Sequence, residues 1–432
     1  MKKFKPWLAL AASVLLVGCS GGESEGSENS NEGSTSDTGE ITAWTWDPAF
    51  NIRALELANE HYTEDNSDFN LNIIENAQDD IVQKLNTSLS SGTTKGMPNI
   101  VLIEDYRAQS FLEAYPDAFY PVTSLLNTDD FADYKVSAGT VGEEVYSVPF
   151  DSGVTGLYVR TDILEEAGYT VDDFTDITWD QYIEMGKEVE EKTGVKMLTN
   201  DHNDLGIIRT MIQSSGVWYT EEDGNTPFIA GNEPLKVAFE KYKEMFDAGI
   251  MNVHNDWSQF LEQFNGGNIA TVPTGNWITP SIKAAADQSG KWEVVSYPKQ
   301  DIEGSVNASN LGGSSWYVLN IDGKEEAAQF LVDTFGSDVD LYQDLVSEIG
   351  AIGTYQPATS GEAYQVEDEF FGGQQVYADL SEWVGEIPEV NFGQNTYAIE
   401  DILVVAMQEY LNGGDLKQVL DDAQAQAESQ IQ

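Results

Sequence analysis

Val145-Tyr146-Ser147-Val148-Pro149-Phe150-Asp151-Ser152-Gly153-Val154-Thr155-Gly156-Leu157-Tyr158-Val159 is the stretch on which the reading of the fold turns. Its apolar runs predict short strands at 145–150 and 156–159, with Asp151-Ser152-Gly153 as the break where the chain crosses between two folded bodies. Strands alternate with helices on both sides of it. Before it, 41–46 alternates as a strand, and 53–63 carries Leu55, Ala58, Asn59 and Tyr62 at helical spacing. Strands at 69–76 and 99–103 and a helix at 79–91 follow, with a Gly- and Pro-containing loop at 92–98. After it, Thr178 is an N-cap with Gln181 three residues on, which opens a helix to about 193 and makes Trp179 a packing residue. Further helices are predicted at 205–215, 235–248 (closed by Gly249), 324–336, 374–383, 397–411 and 416–430, with a helical turn at 260–264. Strands fall at 269–272, 293–297 and 314–320. Such alternation implies βαβ units, a largely parallel sheet and an α/β chain without internal repeats.

At the front, Lys2, Lys3 and Lys5 precede an uncharged apolar run that ends in Leu16-Val17-Gly18-Cys19. A basic start, an apolar run and small residues make a secretory signal peptide. The run is shorter than the roughly 20 residues of a spanning helix. The last four residues match a bacterial lipoprotein box, in which cleavage precedes Cys19 and a lipid is attached to its sulfur. Cys19 is the sole cysteine, so no intramolecular disulfide competes for it. Residues 1–18 are therefore expected to be removed. Residues 19–40, rich in Gly, Ser, Glu and Asn, cannot bury enough apolar area to order themselves and form a tether. A coil of about 20 such residues reaches roughly 25 Å, which places the body at the extracellular face of the membrane.

The formal net charge of −53 repels nucleic acid phosphates and anionic headgroups, so neither is a primary partner. A hydrophobic content of 41% still permits substantial cores, and roughly 390 residues beyond the tether suggest two to three domains. Three histidines, His61, His202 and His254, and no cysteine beyond Cys19 leave no His/Cys metal cage. Enzymatic motifs are absent: there is no H-E-x-x-H, P-loop or G-x-G-x-x-G. Gly22-Glu23-Ser24-Glu25-Gly26 lies in the tether, where no strand-to-helix elbow can form. Among 74 acidic residues a carboxylate pair carries no information about glycoside chemistry. The acidic clusters at 201–204 and 221–225 lack EF-hand spacing and read as solvated loops.

The aromatics say more. Trp46, Trp277 and Trp316 each sit beside Asp, Asn or Ser, and Trp218 lies two residues past Gly216. Sugar rings present apolar C–H faces that stack on indole and hydroxyl rims that need Asp, Asn or backbone partners. Trp46-Asp47, Asn276-Trp277 and Ser314-Ser315-Trp316 each pair such a surface with such groups. Singly each tryptophan is as readily a packing residue; together they favour a carbohydrate or a similar flat, polar ligand.

The chain also resembles the maltose-binding-like sugar-binding lipoproteins of ABC importers. The segments that carry the likeness, in order, are Asp80-Ile81-Val82-Gln83-Lys84-Leu85, Val148-Pro149-Phe150-Asp151-Ser152-Gly153 with Gly156-Leu157-Tyr158, Gly275-Asn276-Trp277, Gly312-Gly313-Ser314-Ser315-Trp316, Asn395-Thr396-Tyr397-Ala398 and the run 413–427. The resemblance implies a two-lobed α/β fold, each lobe a mainly parallel sheet flanked by helices, with ligand in the cleft between them. Residues 41–150 and 300–355 would form the N-terminal lobe, 151–299 and 356–432 the C-terminal lobe. Trp277 matches the family's stacking tryptophan, Tyr397 a C-terminal cleft aromatic, and Trp46 with Asp47 a contact loop after the first strand. Asp105 and Arg107 lie past the third strand, another common contact point. Asp151 is either a ligand contact or a hinge residue. Gly313 and Ser314 would offer backbone and hydroxyl groups, while Asn276 departs from the family pattern. The implied function is capture of a sugar, an oligosaccharide, outside a Gram-positive cell by a monomer that delivers it to ABC permease subunits, with no cofactor and no catalysis. The alternatives are a same-fold receptor for a polyamine, peptide or phosphorylated compound, and a secreted carbohydrate-active enzyme.

Overall fold

The computed structural model describes residues 39–431; the leader, Cys19 and the tether to residue 38 lie outside the described residues. Strand β1 (Glu40–Thr45) buries Ile41, Ala43 and Thr45 on one face, as its alternation requires. It pairs in parallel with β2 (Asn70–Glu75) and β3 (Ile100–Glu104), and the helices Arg53–Asp65 and Gln78–Ser90 make the crossovers. Two short strands, β4 (Thr140–Val141) and β5 (Glu144–Val145), form a hairpin before β6 (Ser147–Arg160).

β6 corrects the expectation of two short strands around a break. It is one strand of 14 residues, buried along its whole length. The turn chemistry of Asp151-Ser152-Gly153 is used within the sheet instead. Asp151 Oδ1 accepts the Ser314 N–H at 2.8 Å, and the Gly153 N–H donates to Asn310 Oδ1 at 2.9 Å. Pro149 is tolerated in this central strand because the register against β11 (Asn310–Val318) jumps there, leaving Phe150 as an extra residue.

Past β6 come β7 (Leu198–Asn200) and β8 (Met251–Val253), which pair in parallel, then β9 (Thr271–Gly275) and β10 (Trp292–Val295), which both pair antiparallel with β6. The main sheet has seven strands in the order β10-β6-β11-β3-β1-β2, with β9 also on β6. Parallel pairing within it is confined to β2-β1-β3; β3–β11 and every pairing of β6 are antiparallel. The sheet is therefore mixed, because β6 and β11 are long crossing strands and not members of βαβ units.

The fold is α/β and two-lobed. The first half of β6 pairs with β11 and its second half with β9 and β10, so one strand serves both bodies. On one side, Leu55, Leu102, Trp316, Phe330 and Leu345 share a core; on the other, Leu157, Trp179, Tyr242, Leu403 and Leu420 share another. The C-terminal helices Thr396–Leu411 and Leu416–Gln430 pack into the second. Thr178 caps the helix Trp179–Thr193 with the expected capping box, and Trp179 is buried. The sequence reading passed over the helices Asp105–Ala114, Asp133–Ala138, Thr161–Ala167 and Val339–Ile349. Among the described residues no helix is long and apolar enough to cross a membrane.

Candidate functional site

Two neighbouring cavities, of about 420 and about 800 Å³, meet at Trp257 and Trp277, which line both. Each has the size of a small-molecule site. Trp277 lies in the short 3₁₀ turn Asn276–Ile278 that follows β9, and its Nε1 donates to the Leu311 carbonyl on β11 at 2.8 Å. Trp257 opens the helix Trp257–Asn265, whose N-cap Asp256 accepts from the Gln259 N–H. The two indoles lie 5.9 Å apart at 42°, and Trp257 is 52% exposed. A half-exposed indole next to a half-buried one leaves two apolar faces open to the cavities.

The larger cavity brings Trp46, Asp47, Asp151, Trp277 and Ser314 together. Asp47 sits at φ 59°, a backbone region uncommon for a residue with a side chain, and its Oδ1 holds the turn by accepting from the Ala49 N–H at 3.1 Å. Tyr377, Glu348 and Lys283 add to the polar lining. Asn276 is buried behind Trp277, and its Oδ1 has no hydrogen-bond partner.

The smaller cavity gathers the charged side chains Glu104, Asp201, Asp204, Arg209 and Asp256. Arg209, on the helix Gly206–Gln213, is paired with Glu400 at 3.4 Å and Asp204 at 3.8 Å, and its guanidinium sits 4.9 Å from the Tyr106 ring. Its Nη1 is buried without a hydrogen-bond partner. Such a donor is suited to a ligand oxygen, since leaving it unpaired costs free energy. Tyr397 stands beside this end: its hydroxyl donates to Glu104 Oε2 at 2.6 Å, and Arg107 lies 4.0 Å over its ring. Burial, then the Glu104 charge, holds the Tyr397 phenol well above its ordinary range.

Four residues singled out from the sequence lie elsewhere. Trp316 is fully buried between Phe150 and Phe335, a core side chain. Trp218 is 2% exposed, stacks on Tyr106, and donates through Nε1 to Thr396 Oγ1 at 2.9 Å. Asp105 is sealed from solvent and paired with Lys135 at 2.6 Å. Gly313 has φ 86°, and a Cβ there would meet Asp105 Oδ2 at 2.8 Å, so its glycine serves close packing. In the other direction, Trp257, Arg209, Glu104, His254 and Tyr377 were missed. Asp256-Trp257 repeats the Asp/Trp adjacency of Trp46-Asp47, and Arg209 is a lone cation in the apolar run 207–212. Asp201 and Asp204, read as a solvated loop, line the smaller cavity.

Burial pushes the Glu400 carboxyl up to about 7, partly offset by Arg209. Between about 4.5 and 7 the folded state then binds the extra proton, so stability falls as pH rises through that window. Relative to Glu400→Gln, the wild-type unfolding free energy is expected to fall on the order of 3 kcal/mol across it. Parallel pH curves in denaturant titrations would refute this.

The family model for bacterial extracellular solute-binding proteins matches residues 58–365. The chain belongs to that family. This solute-binding protein is 44% identical over 395 residues to a lactose-binding protein of Rhizobium radiobacter, covering 91% of the chain and 93% of the relative. An arabinooligosaccharide-binding protein of Halalkalibacterium halodurans is 24% identical over 364 residues, 82% of the chain and 77% of the relative. A solved ABC transporter-associated binding protein from B. animalis subsp. lactis, in complex with β-1,6-galactobiose, superposes with a TM-score of 0.70 at 20% identity, over 90% of this chain and 96% of that one. That likeness is one of fold.

Proposed function

We propose that the protein is the sugar-capturing receptor of an ABC importer, held at the extracellular face of a Gram-positive membrane by a lipid on Cys19. Its ligand is a short neutral oligosaccharide, in the first instance a lactose-like disaccharide. The observation that carries the reading is the Trp257–Trp277 pair set between two cavities whose polar lining includes carboxylates, amides and a guanidinium with a buried N–H left without a hydrogen-bond partner. Apolar faces for ring C–H groups and polar groups for hydroxyl rims are what a sugar needs, and the absence of a basic cluster disfavours phosphorylated solutes. The lactose-binding relative supports the sugar class. Residues 41–150 with 300–355 and 151–299 with 356–432 act as the lobes, which close on the ligand about β6 and β11 before a monomer docks on the permease. No bond of the ligand is made or broken.

A thermal-shift and tryptophan-fluorescence panel tests this, with lactose, galactobiose and arabino-oligosaccharides beside peptides, amino acids and polyamines. A ligand bound only by the folded form raises the melting temperature. A rise with the sugars alone is expected; a response confined to another solute class sinks the sugar assignment. Trp257→Ala is expected to weaken sugar binding about tenfold. Its unfolding midpoint should stay near wild type, because the side chain is half exposed. Unchanged affinity would remove Trp257 from the site.

A further inference from the structure

Tyr106 and Trp218 form a wall with a cavity on each side. Tyr106 lines the smaller cavity of the sugar cleft, and Trp218, stacked on it at 5.5 Å, lines a separate cavity of about 890 Å³. The separate cavity shares no lining residue with the cleft. One of its walls, drawn from 109–142, carries Glu113, Asp129 and Asp133; the other, from 216–228 and 389–391, carries Glu221, Glu222 and Glu389. Among the described residues no lysine, arginine or histidine lines it. Thr220, 5% exposed, also lines it, and its Oγ1 has no hydrogen-bond partner. A buried hydroxyl without a partner is an exception that calls for one.

We propose that this cavity binds a linear organic polycation, with ammonium groups paired to carboxylates on both walls and one N–H donated to Thr220 Oγ1, and that its occupation opposes closure of the sugar cleft. A single metal ion fits poorly. Among the described residues no three acidic, histidine or cysteine side chains are grouped closely enough to hold one, whereas hard divalent ions need six to eight oxygens at one point. Carboxylates spread over two walls match a charge that is itself spread along a chain. The coupling follows from the wall. Tyr106 comes from the helix after β3, and Trp218 and Phe392, which pack on it, come from the other body. Both cavities therefore lie between the same two bodies, on opposite sides of one aromatic contact. A rotation about that contact that narrows one widens the other. A polycation bridging the separate cavity holds it narrow, and by linkage sugar and polycation weaken each other equally. The coupling rests on the lobe-closing reading above; binding of the cation does not.

The test is calorimetry with spermidine at an ionic strength of about 0.15 M, first without sugar. Saturable one-to-one binding is expected, weakened about tenfold or more in Glu221→Gln/Glu222→Gln/Glu389→Gln and kept in Trp277→Ala. These three glutamates are exposed, so the variant should fold; its melting curve checks that. No saturable binding, or equal affinity in the triple variant, overturns the site. Loss in Trp277→Ala would place spermidine in the sugar cleft, and complete displacement by equimolar Mg²⁺ would make the site one for divalent ions; either result overturns the assignment. Lactose titrated with and without spermidine reads the coupling: several-fold weaker binding is expected in wild type and not in the triple variant. Spermidine binding that leaves lactose affinity unchanged overturns the antagonism alone, and failure of lactose to bind at all counts against the sugar reading and not against the cation site.

Discussion

Lys135→Met is expected to lower the unfolding free energy by about 3–5 kcal/mol at neutral pH, the cost of leaving a buried charge without its partner. Lys135, on the helix Asp133–Ala138, is completely buried, and its Nζ donates three hydrogen bonds: to Asp105 Oδ2 and the Asp151 carbonyl at 2.6 Å and to the Ser314 carbonyl at 2.8 Å. One ammonium thus ties the end of β3 to both crossing strands. Methionine would fill a similar volume but strand Asp105, whose carboxyl burial already pushes up to about 6 with the lysine in place. Without it the folded-state pKa rises further above the unfolded value. The folded state then holds a proton over a wider range, and the deficit grows as pH rises above about 6 and levels off at a smaller value below it. Guanidinium titrations at pH values on either side of 6 check this: the gap between wild type and variant should be smaller in acid. Lys135→Met/Asp105→Asn should recover part of the loss, because no charge is then left unpaired. A gap that does not depend on pH would mean that the variant fails through packing and not through electrostatics.

The legibility of the chain followed the range of the forces involved. Local signals were read well: the capping box at Thr178, the helix Leu416–Gln430 and the alternation of β1 are set by residues within a turn or two of one another. The crossing was read as a break because Asp, Ser and Gly favour turns, yet Asp151 and Gly153 spend that capacity on Ser314 and Asn310, some 160 positions away. Long-range pairing overrode local chemistry, and one strand replaced two. The tryptophans show the same limit from the other side. Trp316 and Trp277 have equally polar neighbours in sequence, but side chains alternate across a strand, so Ser315 and Trp316 face opposite ways and the polar neighbour says nothing about where the indole goes. Trp277 lies in a turn past a strand end, where neighbouring groups can share one cavity. Lys135 and Arg209 escaped notice because a buried cation is identified by its partners, and Asp105, Glu400 and the β-strand carbonyls are distant in sequence.

Trp277→Ala is expected to weaken sugar binding at least about 30-fold, as for a central aromatic anchor in a binding interface. The cost to the fold should be smaller, about 1–2 kcal/mol, since the ring is only partly buried and loses one hydrogen bond, to Leu311. Trp277→Phe separates the two contributions: a ring remains to stack, but nothing donates to the Leu311 carbonyl. Its affinity should lie between wild type and alanine. Trp316→Ala is the counterpart. That indole is fully buried between Phe150 and Phe335, so truncation leaves a cavity costing about 3–5 kcal/mol. The fraction that remains folded should bind sugar with near wild-type affinity. Equilibrium unfolding and calorimetry on the three variants give two numbers each, and the expected pattern is crossed: one tryptophan moves affinity more than stability, the other the reverse. If Trp277→Ala instead loses several kcal/mol of stability while its folded fraction binds as wild type, the indole belongs to the core, and the cleft must hold its ligand by Trp257 and the polar groups around Arg209.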